Sequence, residues 1–166
     1  MSERAKHEIQ HGEFLAGGDT EYIWGWGTPA GRVRARRRAK LIEIGARLGP
    51  DAHILEIGCG TGMFTEMFAQ TGCSIIAVDI SADLLKKAEA RKLPKGKVHF
   101  MQKRFEDCNV DGPFDAVIGS SILHHLELND ALPRIYELLK PNGRMSFAEP
   151  NMLNPQVFVE LKLRWL

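Results

Sequence analysis

The stretch that most constrains the fold is His53 to Gly62, HILEIGCGTG, a short apolar run that ends in an acid and then in three glycines spaced by single residues. Ile54, Leu55 and Ile57 predict a buried strand. The glycines after them let the backbone turn sharply and approach a ligand closely before a helix starts near Met63. Strand, glycine turn and helix in that order make a nucleotide-site architecture. The spacing is Gly58-x-Gly60-x-Gly62, and the third glycine of a dinucleotide G-x-G-x-x-G would fall at Met63. A pyrophosphate is therefore not the favoured ligand, and a nicotinamide dehydrogenase is disfavoured. Glycine turns also serve as mere connectors between strand and helix, and what weighs for a ligand here is Asp79. It closes a second strand-like run, Ser74-Ile75-Ile76-Ala77-Val78, at about the ~20-residue offset at which an acid meets a ribose in doubly wound folds.

The rest of the chain reads as strands alternating with helices. Thr28-Pro29 caps a helix that Gly49-Pro50 stops, and Val33, Arg37, Leu41, Ile44 and Leu48 recur in it at helical spacing, so these are expected to form its buried face. Arg32, Arg34, Arg36, Arg37, Arg38 and Lys40 make a charge run whose simplest reading is a solvated face; an anionic substrate or RNA is the sharper one. Met63, Phe64, Met67 and Phe68 form a core stripe, and Ser81 caps a helix with Leu84, Leu85 and Ala88 inward. Val98–Met101 predicts a short third strand, Phe114–Gly119 a fourth covered on both faces, and Met145–Ala148 a fifth. Between the last two, Asn129 or Asp130 begins a helix that runs over Leu132–Leu139 and ends in a Pro141-Asn142-Gly143 turn. The fold class is α/β: a doubly wound, Rossmann-like, mostly parallel sheet with helices on both faces and ligands beyond the strands' carboxyl ends. Glu56, Asp79, Ser120 and Glu149 fall at those ends.

In ILEIGCGTG, AVDIS, FDAVIGSSILHHL and LKPNGRMSFAEPN, taken in that order between Ile54 and Asn151, the sequence resembles the class I S-adenosylmethionine-dependent methyltransferases. The resemblance implies a methyl transfer from S-adenosylmethionine, leaving S-adenosylhomocysteine, to a small-molecule acceptor. It implies that Gly58, Cys59, Gly60 and Gly62 line the methionine and ribose part of the cofactor, that Asp79, with Ile80 beside it, holds the ribose hydroxyls, and that Glu56 lies near the cofactor's ammonium group. Family members often carry an acid and a small residue after the third strand, where this chain has Arg104 and Phe105. That departure makes Phe105 a ring to pack on adenine and Glu106 a substitute acceptor. Ser120 completes the expected cofactor site. Members usually end in two more strands, whereas here Pro155 opens an apolar segment, Val157–Leu166, so C-terminal strands are expected to be missing and the acceptor pocket incomplete.

Methyl transfer from a sulfonium is an in-line displacement that chiefly needs alignment. Where the acceptor must lose a proton, His124, His125 and Glu149 are the candidate bases, although either histidine also suits a loop cap. Residues 1–27, with Tyr22, Trp24 and Trp26, form an N-terminal arm, packed on the domain or closing over the site as a lid; residues 28–166 form the cofactor-binding domain. No periodicity in the arm supports a strand or a long helix. A net charge of +1 gives no field for nucleic acid, and no apolar run is long enough for a membrane span. Cys59, Cys73 and Cys108 have neither zinc-like nor disulfide-framework spacing, so no metal is expected and a cytoplasmic location is. The rival reading is a non-catalytic S-adenosylmethionine-binding regulatory or partner module.

Overall fold

A computed structural model describes residues 3–151, 153–155, 158 and 159. The elements run α1 (Glu3–Ala16), α2 (Thr20–Ile23), α3 (Pro29–Ala46), β1 (His53–Ile57), α4 (Met63–Ala69), β2 (Ser74–Asp79), α5 (Ala82–Glu89), β3 (Val98–Gln102), β4 (Phe114–Ser120), α6 (Leu128–Leu138) and β5 (Leu139–Ala148). The strands form one parallel sheet in the order β3-β2-β1-β4-β5, which reverses direction of growth between β1 and β4. A doubly wound sheet binds its ligand at that reversal, because the loops leaving β1 and β4 diverge to opposite faces.

The alternation of β1 distributes the core. Ile54 packs with Ile42, Phe68, Ile75 and Ile118 on the face covered by α3, α4 and α5. Leu55 and Ile57 pack with Val78, Val117, Ile135 and Leu138 on the face covered by α6. Glu56 shares the parity of Ile54 and therefore points beneath α4 rather than out of the strand's end.

Three expectations change. The arm is helical: α1 has no apolar stripe to announce it and is held by tertiary contacts, with Leu15 buried and Gly12 seated against Ser81 at the start of α5. The α3 helix buries the opposite face from the one expected. Ala35, Ala39, Ile42 and Ala46 are inside, whereas Val33, Leu41 and Ile44 are 59%, 61% and 61% exposed. Small side chains let this helix lie close on β5 and α4, and closeness outweighs the apolar spacing of the larger residues. Finally, β5 starts before the Pro141-Asn142-Gly143 turn. Phe114 faces Leu139 and Ala116 faces Arg144, so the turn, with Asn142 at φ 66°, is an irregularity inside the strand. Most of the apolar segment Val157–Leu166 lies outside the described residues.

Candidate functional site

A cavity of about 1270 Å³ opens over the carboxyl ends of β1, β2, β4 and β5 and is roofed by α1 and the Trp24–Trp26 segment. Its floor on one side is the glycine turn. Gly58 and Gly62 are filled from the protein side, since a Cβ would lie 2.5 Å from Ile122 or 2.9 Å from Ala88 respectively. Gly60, at φ 54°, faces the cavity, and a Cβ there would stand 3.0 Å from the edge of the Trp24 indole. Gly60 is thus the position where the backbone can come close to a ligand.

Asp79 ends β2 directly beside this turn. Its Oδ2 accepts the Gly60 N–H at 2.7 Å and its Oδ1 the Ser81 N–H at 2.9 Å. Burial raises its pKa, the two amides oppose that rise, and the nearby Glu8 carboxylate adds to it. A carboxylate has about four lone-pair sites, so each oxygen keeps capacity for one more donor. A ribose diol supplies two such donors, and the turn supplies the close approach. The site therefore fits a nucleoside cofactor on its own donor set.

At the other end of the cavity, Glu149 follows β5. Its Oε1 accepts the N–H groups of Ile122 (2.9 Å) and Leu123 (3.0 Å), and its Oε2 lies 2.6 Å from His124 Nδ1. Burial raises the Glu149 pKa, but the His124 bond and the two amides outweigh it and hold the carboxyl below its ordinary value. An ionised carboxylate only accepts, so Nδ1 carries the proton and donates the bond, leaving the imidazole lone pair on Nε2. His125 has a different partner, Glu8 of α1, at 2.7 Å, and so ties the roof to the loop after β4.

Of the expected cofactor residues, Gly58, Cys59, Gly60, Asp79, Ile80, Arg104, Phe105, Glu106 and Ser120 all border the cavity. Gly62 packs on Ala88 instead. Glu56, expected beside an ammonium group, is absent from the cavity lining. It is 2% exposed, accepts the Thr65 hydroxyl at 2.6 Å, and burial pushes its pKa up to about 7. Where adenine was expected, Phe105 is a core side chain, and Glu106 is engaged with Arg104 at 3.2 Å and the Glu127 N–H at 3.3 Å. Tyr22 is exposed and Trp24 and Trp26 line the cavity, so the arm delivers two of its three aromatics there.

Two residues outside the expected site set stand out. Arg38, read as part of a solvated run, turns inward: Nη1 donates to Ser121 Oγ (2.6 Å), Ser120 Oγ (3.2 Å) and Ala148 O (3.4 Å), with the guanidinium 5.2 Å from the Trp26 ring centre. Ser121, at φ 56°, receives that bond. The available signal was positional, since Arg34 and Arg38 are one turn apart and both meet Trp26.

The family described as "Methyltransferase domain" matches residues 55–145, more than half of the chain. A relative named ubiquinone biosynthesis O-methyltransferase, from Xanthomonas axonopodis pv. citri, is 32% identical over 133 residues, covering 77% of this chain and 56% of the relative. O-methyltransferase cnsE of Penicillium expansum is 34% identical over 118 residues, 64% of this chain and 42% of that protein. The chain thus spans about half the length of the curated relatives it matches. Among solved structures, N-methyltransferase NodS from Bradyrhizobium japonicum, in complex with S-adenosylhomocysteine, superposes with a TM-score of 0.71 at 22% identity, over 84% of this chain and 71% of that one. At that identity the likeness speaks for the fold.

Proposed function

The chain belongs to the class I S-adenosylmethionine-dependent methyltransferase family, and from that premise we propose that it transfers a methyl group to the hydroxyl of a small-molecule acceptor. The observation that carries this reading is that the Glu149–His124 pair opens into the same cavity as Asp79 and Gly60. Bound S-adenosylmethionine supplies a methyl carbon on a positively charged sulfur. Asp79 accepts the two ribose hydroxyls, and the Gly60 backbone lets the cofactor lie against the turn. Trp24 and Trp26 present aromatic rings that exclude water and attract the sulfonium, a contact of roughly 0.5 to 2 kcal/mol. Glu149 holds the His124 tautomer, and His124 Nε2 takes the acceptor's hydroxyl proton as the oxygen attacks. The α1–α2 arm acts as the lid over this site, and residues 28–166 carry the rest.

No helix among the described residues is long and apolar enough to cross a membrane. The near-neutral net charge favours a small molecule over a nucleic acid as partner, and three buried free cysteines suit a reducing cytoplasm. A cofactor-binding module without transferase activity is the second reading, since Asp79 and Gly60 can hold a nucleoside without calling on His124. Formation of S-adenosylhomocysteine across a panel of hydroxylated acceptors separates the two. Methyl transfer should occur, and His124→Asn should lower kcat roughly 100- to 10,000-fold with cofactor affinity unchanged. Cofactor binding with no S-adenosylhomocysteine formed from any acceptor would establish the module instead.

A further inference from the structure

The fold leaves uncovered the row of α3 that carries its large aliphatic side chains. Val33, Arg37, Leu41 and Ile44 follow one another at helical spacing on the outer side of the helix, and all four are exposed. A second row beside it, Arg32, Arg36, Lys40 and the C-cap Arg47, is exposed and wholly basic. The only acid in α3 is Glu43, and Lys40 takes it at 2.6 Å. Arg32, Arg36, Arg37 and Arg47 make no side-chain hydrogen bond or ion pair among the described residues. A strip roughly 22 Å long, at about 1.5 Å per residue from Arg32 to Arg47, thus carries aliphatic groups alongside positive charge that no acid of the helix offsets. That combination selects the partner. A nucleic acid takes up the cations and gains nothing from three aliphatics. A protein interface of standard size engages about 20–30 residues a side, whereas the two rows supply eight on a convex helix, with no aromatic or methionine anchor among them. An anionic lipid surface uses both rows together. Aliphatic side chains enter the boundary between headgroups and acyl chains, and arginine stems lie along it with their charged heads at the phosphates.

We propose that the outer face of α3 docks this chain peripherally on a bilayer bearing anionic phospholipid, with Val33, Leu41 and Ile44 inserted and Arg32, Arg36, Arg37 and Arg47 on the phosphates. Docking leaves α3 helical and its inner face packed on β5 and α4, so it asks for no rearrangement of the fold. Arg37 and Leu41 also border the cavity, and docking therefore turns that part of its rim to the lipid. Attraction of the arginines to the anionic surface is screened by salt, whereas insertion of the aliphatic row is not, so a salt series separates the two contributions. The docking calls on neither cofactor nor acceptor and stands apart from methyl transfer.

Co-sedimentation of the chain with vesicles of phosphatidylcholine alone, and of phosphatidylcholine with about 30% phosphatidylglycerol, tests this. The partition coefficient should be at least about ten-fold higher on the anionic vesicles, and part of the binding should survive about 0.5 M salt. Arg32→Glu with Arg36→Glu should remove most of the anionic preference. Val33→Ser with Ile44→Ser should keep binding at low salt and lose the salt-resistant part. All four side chains are exposed, and melting curves check that each variant folds. Where a variant does not fold, the two vesicles and the salt series on the wild type decide alone. Equal binding to both vesicles, binding to neither, complete loss at high salt, or an unchanged preference after the double charge reversal would overturn the proposal. Sedimentation velocity of the free protein and titration with a single-stranded RNA identify another occupant. A dimer that Val33→Ser with Ile44→Ser dissociates assigns the face to a second copy, RNA bound more tightly than the anionic vesicles assigns it to nucleic acid, and either result also overturns the proposal.

Discussion

Glu56 is an acid that strand alternation directs into the core, where desolvation raises its pKa from 4.5 to about 7 against the opposing Thr65 hydrogen bond. A carboxyl with a higher pKa folded than unfolded binds more protons in the native state. Its share of stability is complete below pH 4.5 and is lost as pH rises to about 7. At about 1.36 kcal/mol for each tenfold change in proton affinity, the rise from 4.5 to about 7 corresponds to a loss of about 3 kcal/mol over the whole window. Glu56→Gln keeps an oxygen for Thr65 and removes the titration. Urea unfolding at pH 5 and pH 8 should show the wild type losing roughly 2 kcal/mol more than the variant between those values, the rest of the loss falling below pH 5. Parallel behaviour would mean that Glu56 is not protonated in the native state at pH 5. Asp79 is displaced in the same direction, so the difference between the two proteins, rather than the wild-type slope, isolates Glu56.

Elements differ in how they are tied down, and α3 shows it most clearly. Thr28 caps the helix, its Oγ1 accepting the Gly31 N–H at 3.0 Å, as Thr28-Pro29 announces in the sequence. Thr28→Ala should cost about 1 kcal/mol of stability by thermal melting. Gly31, one turn in, is where the arm docks: a Cβ there would collide with the Gly25 carbonyl oxygen and stand 2.9 Å from Trp26 Cα. Gly31→Ala should therefore gain up to about 1 kcal/mol of helix propensity while displacing the arm. Melting temperature should hold and S-adenosylhomocysteine affinity should fall, and unchanged affinity would show that the arm takes no part in the site. The strands and the glycine turn were legible because a two-sided parallel sheet demands apolar runs, and Ile54–Ile57, interrupted by Glu56 alone, and Ala116–Ile118 supply them. The buried face of α3 was not, since Ala35, Ala39 and Ala46 are chosen for closeness rather than hydrophobicity. Helix α1 was hidden for a related reason: it is fastened by Glu8 on His125 and by Gly12 on Ser81, pairings that lie 117 and 69 residues apart in sequence.

Across the whole molecule, the strand order brings Asp79 from β2 and Glu149 after β5 to one cavity, although 70 residues separate them. Asp79, Gly60 and His124 could be read from local motifs, each standing where a strand ends. Arg38 could not, because its run of arginines looks the same whether it faces solvent or a site, and only the packing of α3 on β5 decides between them. The central claim is that the ends of β1 and β2 together hold the nucleoside of S-adenosylmethionine. Calorimetric titration with S-adenosylhomocysteine of the wild type and of Asp79→Asn, with folding of each checked by its melting curve, tests it most directly. The wild type should bind one equivalent and the variant should lose about 1.5 to 3 kcal/mol, roughly a 10- to 150-fold higher Kd. No binding by the wild type, or the same Kd in both folded proteins, would contradict the claim.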